Sequence, residues 1–597
     1  MNKIETLKRH FGHDSFRPLQ EEAVDAILAR RDLLMILPTG GGKSLCYQLP
    51  TLMMEGVTVV VSPLLALMHD QVTALRAQGI GAAMLSSMQS LEESREIVGQ
   101  LHRGEIRLLY VAPEKLGSEF FTGLLSQLRL NFFVIDEAHC VSEWGHEFRE
   151  DYRKLHQLRE RWPEVPIAAF TATATKEVEE DIAAHLRLRD PLRLRGSLYR
   201  ENLTIRIRHR IGDGREQLLD FLSAHGGESG IVYTLSRKQT ESLAEYLRAK
   251  GHSAAAFHAG LPAEEKRRVY EEFLSDRIET VVATIAFGMG IDKSNIRYVV
   301  HMTLPKTIEN YYQEMGRAGR DGLESETLLL YGAQDALMQR NFIDELPEGP
   351  YKTHAYTKLE KLIRLATGEQ CRHRALAAYF GEELAECGER CDNCLEPAAA
   401  PREITEEARK LLAAVYRSGQ RFGAGYIIDL LRGSRDQRLL ANAHDKLSVY
   451  GIGKDFDRKQ WGVVVDRLLE LEALSLNEHK GLVLTPKGAE ILRGNAPVTI
   501  RPDRMEIRRA KPRVRATALP EDVDAELYER LRTLRREIAE EHGVPPYVVF
   551  SDKTLRELAA HRPMNREEML AIHGIGEVKF ERYGEAFLEL LEESEVC

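Results

Sequence analysis

LPTGGGKS, Leu37 to Ser44, constrains this chain more than any other stretch. It is a glycine turn ending in Lys43-Ser44, set between the apolar run Leu33 to Leu37 and a segment with helical pattern, Leu45 to Met54. Strand, glycine loop and helix together make backbone N–H groups and a helix N-terminus converge on anionic oxygens. Thr39, Gly40, Gly41 and Gly42 would form that cradle, Lys43 would reach the terminal phosphates, and the Ser44 hydroxyl is placed for magnesium. Leu37 stands where the strict phosphate-loop pattern has a glycine, so the loop alone says only that a nucleotide fits. VIDEAHC, Val134 to Cys140, supplies what is missing: after an apolar strand, Asp136 to hold the metal and Glu137 to position a water. The two motifs in this order read as NTP hydrolysis.

Around them, β-rich runs alternate with helical segments: Val57 to Val61, Ile106 to Val111, Phe132 to Ile135 and Ile167 to Thr171. Such alternation predicts a parallel sheet wrapped by helices, with function in the loops after the strands. Upstream, Phe16, Arg17 and Gln20 fall within one short stretch, an aromatic or guanidinium plane for a base and an amide matched to adenine. Ser62 in SPLLAL and Thr173 in TATAT are strand-end hydroxyls suited to the phosphates of a bound strand. The loop after the acidic pair, Cys140 to Tyr152, carries Trp144, His146, Phe148, Arg149 and Tyr152, a set that can stack on single-stranded bases. A second αβ unit follows a connector near Leu198 to Leu203. In its YYQEMGRAGRDG segment, Arg317 and Arg320 are expected on one face of a helix, reaching across a cleft toward the transferred phosphoryl group.

GGGKS, DEAHC, TATAT, AFGMGIDK and QEMGRAGRDG resemble the ordered motifs of superfamily-two helicases. With Gln20, the aromatic loop and CRHRALAAYFGE, Cys371 to Glu382, the resemblance narrows to the RecQ family of DNA helicases. It implies an α/β fold: two tandem RecA-like parallel-sheet lobes, a zinc-binding helical module, a winged helix and a small C-terminal helical bundle. It also implies ATP-dependent 3′ to 5′ unwinding, with ATP and Mg2+ at Lys43, Ser44, Asp136, Glu137, Asp292, Arg317 and Arg320, and DNA at Ser62, Trp144, His146, Phe148, Arg149 and Thr173. Expected boundaries are 1–203 and 204–335 for the lobes, 336–396 for the zinc module, 402–496 for the winged helix, 497–520 for a basic linker and 521–597 for the C-terminal HRDC domain.

Cys371, Cys387, Cys391 and Cys394 crowd together in a chain with only seven cysteines, which predicts a closed structural Zn2+ site in a reducing compartment. Arg372, His373 and Arg374 beside them are either phosphate contacts or a solvated basic turn. A helical run at Lys459 to Leu471, then two short strands and a helix within Leu474 to Leu492, predict a winged helix for duplex DNA. Trp461 and Tyr547 are expected in cores. The net charge of −10 lies almost wholly in Glu521 to Cys597, with 19 acidic against 10 basic residues, so that domain is expected to regulate or bind protein more than grip DNA. No apolar run is long enough for a membrane span, and a cytoplasmic, nucleoid-associated protein is expected, with single-stranded and duplex DNA, single-strand-binding protein and other repair proteins as partners. Two alternatives stay open: an RNA helicase of the same superfamily, and an ATP-gated DNA clamp or strand-annealing protein.

Overall fold

The computed structural model describes residues 2–595 apart from 87–88, 146–147, 286, 288–292, 397–399, 478–480 and 501–522. The first lobe is a seven-stranded parallel sheet of β1 (Leu33–Ile36), β2 (Val57–Val61), β3 (Ala82–Leu85), β4 (Leu108–Val111), β5 (Leu130–Ile135), β6 (Ile167–Thr171) and β7 (Leu192–Arg195), in the order β3-β4-β2-β5-β6-β1-β7. β1 shows why its residues are apolar throughout: Leu34 and Ile36 enter one core and Leu33 and Met35 the other, because alternate side chains of a doubly covered strand face opposite sides. The edge strands β3 and β7 were not anticipated. One is short and alanine-rich, and the other alternates leucine with arginine because half of it faces solvent.

The second lobe is a six-stranded parallel sheet, β8 (Leu203–His209), β9 (Ser229–Tyr233), β10 (Ala254–Phe257), β11 (Thr280–Ala283), β12 (Ile296–His301) and β13 (Ser325–Tyr331), ordered β10-β11-β9-β12-β13-β8. The zinc module continues from it as two long helices, Ala333–Asp344 and Pro350–Thr367, and a shorter one, Arg372–Tyr379. Next comes the winged helix, with β14 (Arg402–Glu403) closing on β17 (Thr499–Ile500), and β15 (Leu474–Leu476) pairing with β16 (Leu482–Leu484) as the wing. Trp461 is buried in its core, as expected. Asp466 lies 3.2 Å from His209 and Lys459 2.5 Å from Glu216, so this domain docks on the second lobe.

The C-terminal bundle is built on the helix Ala525–His542, whose Leu527, Leu531 and Ile538 are buried in a core of their own. It does not stand apart. Gly574 N–H donates to Gly12 O at 3.1 Å and Arg582 to Arg76 O at 3.2 Å, both in the first lobe. On the other side Asp552, paired with Arg535 at 2.9 Å, lies 3.9 Å from Arg297 of the second lobe. The acidic domain therefore straddles both lobes.

Candidate active site

The phosphate loop follows β1, and Gly40 and Gly42 both adopt φ +81°, a conformation that a Cβ would strain. Gly42 caps the helix Lys43–Met53, so that helix N-terminus faces the loop. Leu37, the departure from the strict pattern, is buried, and a Cβ on Gly41 would come within 2.7 Å of its Cγ. The leucine thus packs the underside of the loop. Lys43 Nζ donates to Leu37 O at 2.8 Å, and burial holds the ammonium below its ordinary value.

At the end of β5, Glu137 sits at φ +48°, a left-handed conformation costing about 1 kcal/mol or more for a residue with a side chain. The turn brings both carboxyls back toward Lys43. Asp136 Oδ1 accepts from Glu137 N at 3.0 Å, and the buried Tyr152 donates its hydroxyl to Asp136 O at 2.9 Å. Tyr152 is therefore a brace and not a base-stacking ring. Burial first, then the neighbouring Glu137, pushes Asp136 above the usual carboxylate range, which favours a cation beside it. His139 is a residue that pattern reading passed over. Its Nδ1 lies 3.3 Å from Glu137 Oε2 and 2.9 Å from Thr171 Oγ1, and the Thr171 hydroxyl donates to Thr173 O at 3.2 Å. Burial opposes the imidazolium, but Cys140 and Glu137 outweigh it and raise His139 to about 10.

Arg317 and Arg320 are not on a helix. The helix Ile308–Met315 stops at Gly316, and the arginines occupy the turns that follow, with Gly319 at φ +62°. Their backbone is held by the connector between the lobes. Arg200 donates to Gly316 O at 3.0 Å and to Gly319 O at 2.5 Å, and Asn202 donates to Gly319 O and Leu323 O, both at 2.8 Å. Gly319 leaves the helical ladder through its left-handed φ and by giving its N–H to Ile296 O at 2.8 Å. Across the cleft, a Cβ on Gly40 would lie 3.3 Å from the Arg320 α-carbon, so the turn rests on the phosphate loop.

One cavity of about 700 Å³ unites Phe16, Arg17, Gln20, Thr39, Gly40, Gly42, Lys43, Ser44, Asp136, Glu137, Arg317 and Arg320. The Gln20 amide is buried beneath the loop, donating to Gly42 O at 3.2 Å and accepting from Arg17 N at 2.9 Å, while the Arg17 guanidinium donates to Gly40 O at 2.8 Å. Phe16 packs beside Leu7, Val24 and Leu49. Asp292 lies outside the described residues. The same cavity is lined from the C-terminal bundle by Tyr547, Val548, His573 and Lys579, so Tyr547 is a cleft residue and not simple core. Burial lowers Lys579 to about 8, and burial, with His573 adding to it, lowers His13 to about 4.

The strand-contact candidates lie elsewhere and differ among themselves. Phe148 is exposed, with the Arg153 guanidinium 5.8 Å from its centroid. Trp144 is half-buried, its ring 5.3 Å from that of His354 on the zinc module, and Arg149 donates to Pro63 O at 3.0 Å. Ser62 and Thr173 are each 1% exposed, and neither hydroxyl has a hydrogen-bond partner in this structure. His146 lies outside the described residues.

The Sγ atoms of Cys371, Cys387, Cys391 and Cys394 all lie within 4.8 Å of one another, with 3.8 Å between Cys387 and Cys394 and 4.0 Å between Cys391 and Cys371. Tetrahedral Zn–S bonds of about 2.3 Å place sulfurs about 3.8 Å apart, so the four thiolates fit zinc with no position left open. Arg372 and His373 are buried: Arg372 pairs with Asp392 at 2.9 Å, and His373 Nε2 lies 3.0 Å from Leu203 O and from Arg390 O. Neither is a phosphate contact, nor a solvated turn. Glu382 accepts from Leu198 N at 2.8 Å, so the zinc module grips the interlobe connector.

Family models match in succession along the chain: DEAD/DEAH box helicase at residues 17–181, helicase conserved C-terminal domain at 213–322, RecQ zinc-binding at 333–395, RQC domain at 399–509 and HRDC domain at 524–591. An ATP-dependent DNA helicase RecQ of Haemophilus influenzae is 42% identical, covering 99% of this chain and 96% of that one. The chain belongs to the RecQ family. Further members named ATP-dependent DNA helicase RecQ are 42% identical in Pasteurella multocida, over 99% of this chain and 93% of that one, and 40% identical in Bacillus subtilis, over 98% and 97%. As a RecQ-family protein with both helicase domains, the chain is an ATP-dependent DNA helicase, with ATP, magnesium and zinc as its cofactors. Among the described residues no helix is long and apolar enough to cross a membrane.

Proposed function

We propose that ATP is hydrolysed between the two lobes and that the cycle of closing and reopening carries the protein 3′ to 5′ along one DNA strand, unwinding duplex ahead of it. The observation that carries this reading is the single cavity in which the phosphate loop, the acidic pair and both arginines meet. Thr39 and Gly40 to Ser44 cradle the phosphates, and Lys43 turns from the Leu37 carbonyl to the terminal ones. Ser44 and Asp136 offer the oxygen ligands that suit magnesium, which when bound neutralises charge between the β- and γ-phosphates. Glu137, oriented by His139, takes the proton of the attacking water, which adds to the γ-phosphorus as the bond to the β-bridging oxygen breaks. Arg317 and Arg320 stabilise the charge that spreads over the equatorial oxygens. Phe16, Arg17 and Gln20 form the adenine end, where Gln20 must exchange its loop contacts for the base. Asp292 is part of the same proposal.

Trp144, Phe148 and Arg149, with His146, would hold the single strand, and the winged helix the duplex. Single strands in a cell are covered by single-strand-binding protein, so that protein and other repair proteins are the partners we propose, on the nucleoid. The test is an unwinding assay on partial duplexes with 3′ or 5′ tails, comparing the wild type with Lys43→Ala. Opening of 3′-tailed DNA by the wild type alone is expected. Failure to open it, or equal opening by Lys43→Ala, would sink the reading.

A further inference from the structure

Lys358 is a lysine with a stated address and no part in the chemistry above. It lies on the zinc-module helix Pro350–Thr367 and is 7% exposed. Its Nζ donates to Trp144 O at 2.8 Å and pairs with Glu309 Oε1 at 2.9 Å. Glu309, 4% exposed, is in the first turn of the helix Ile308–Met315, and it also accepts from the Tyr379 hydroxyl at 2.8 Å. The other end of that helix runs directly into Gly316, Arg317 and Arg320. One buried ammonium therefore touches the backbone of the aromatic loop in the first lobe and the helix that presents the arginines in the second.

The two contacts differ in kind. The pair with Glu309 joins two desolvated charges, and separating them would strip each of its buried counter-charge, so Lys358 and Glu309 move together. The bond to Trp144 O is charge-assisted on one side only and ends on a neutral carbonyl in a loop, so it is the weaker of the two and the one that can be exchanged. A lysine bound strongly on one side and weakly on the other follows the strong partner and reports on the weak one. Trp144 is also the residue whose ring is offered to bases, so a strand that shifts the ring shifts the carbonyl that Lys358 holds.

We propose that Lys358 is the positioning residue that couples single-stranded DNA at the aromatic loop to the arginine turn, through Glu309. This rests on the reading of Trp144 and Phe148 as strand contacts. Hydrolysis does not need the link, because Lys358 lines no part of the nucleotide cavity; acceleration of hydrolysis by DNA does.

The experiment measures ATP turnover of the full chain with and without single-stranded DNA, together with KM for ATP and Kd for the strand. Lys358→Met is expected to lower the ratio of DNA-stimulated to basal kcat about tenfold, the ordinary size of a coupling between two sites, with basal kcat, KM and Kd changed by less than about twofold. Glu309→Gln should do the same, and Lys358→Arg should restore most of the ratio. Tyr379→Phe, which removes a hydroxyl from Glu309 but leaves the link, should keep it. If Lys358→Met does not fold, as read by its melting temperature, Glu309→Gln and Lys358→Arg carry the test. An unchanged ratio, or equal falls in basal and stimulated rates, overturns the proposal. A Trp144→Ala/Phe148→Ala double variant separates the two readings: loss of stimulation there with none in Lys358→Met overturns only the lysine link. Full stimulation in the double variant overturns the strand contact and the link with it.

Discussion

The two halves of the nucleotide cleft are built in different ways. In the first lobe the charged groups are held by their own neighbours: Glu137 N donates to Asp136, Lys43 to Leu37 O, and Gly42 caps the helix that Lys43 begins. In the second lobe the arginine turn is held from outside, by Arg200 and Asn202 of a connector more than a hundred residues away in sequence. The connector in turn is gripped by Glu382 of the zinc module. A half-site made of strand-end loops within one lobe keeps its geometry when the other lobe moves. A half-site braced by the connector keeps it only in register with the hinge, which is what a cleft that must open and close requires.

Substitutions can break or sharpen that contrast. The largest effect is expected from Arg320→Ala: loss of charge stabilisation should lower kcat about 10³-fold with little change in ATP affinity, read by steady-state turnover and nucleotide titration. Glu137→Gln should lower kcat about 10²-fold while nucleotide and strand affinities stay near wild type, since its backbone turn is retained. Arg200→Ala tests the contrast itself. With the two carbonyls released, kcat should fall about tenfold at unchanged KM, because the arginines are displaced and not removed. Wild-type kcat in that variant would break the comparison.

Smaller effects are expected at the C-terminal bundle. Gly576 has an ordinary backbone conformation, but a Cβ there would lie 2.9 Å from Arg9 O of the first lobe, so Gly576→Ala should undock the bundle without unfolding it. Nucleotide dissociation, followed with a fluorescent analogue, should then speed about fivefold, because Tyr547 and Lys579 leave the cavity wall. Acidification should weaken the same docking more gently. His13 is held at about 4 by burial and by the facing His573, Arg17, Lys579 and Lys553, and His573 is lowered too. Their neutral forms are favoured when docked, so docking is strongest above pH 6.5 and weakens as pH falls toward 4, measurable as a distance change between labels at the exposed positions Glu22 of the first lobe and Glu585 of the bundle.

The same contrast explains what reading the chain reached. The phosphate loop, the acidic pair and the four cysteines were legible because each is a short run whose spacing dictates its chemistry. Arg317 and Arg320 were found as residues but misplaced on a helix, because Gly319 turns left-handed and gives its N–H to Ile296 O, a tertiary bond that no local spacing announces. Ser62 and Thr173 sit at strand ends as inferred, yet the strands bury them. The docking of the bundle left no pattern to read, since it rests largely on close approaches at Gly12, Gly574 and Gly576 and on backbone carbonyls, with charge pairs such as Asp552 and Arg297 that no spacing links.

By itself the sequence determined two parallel-sheet lobes, a phosphate cradle, a closed four-thiolate metal site and a winged helix, all of them set by interactions within a few residues or by strand and helix periodicity. Only the tertiary structure decided that the arginine turn leans on the connector, that Lys358 joins the aromatic loop to the arginine helix, and that the acidic bundle walls the cleft. Those are contacts between segments with no fixed spacing, held by carbonyls and glycines that every chain has, and they acquire meaning only when folding brings them together.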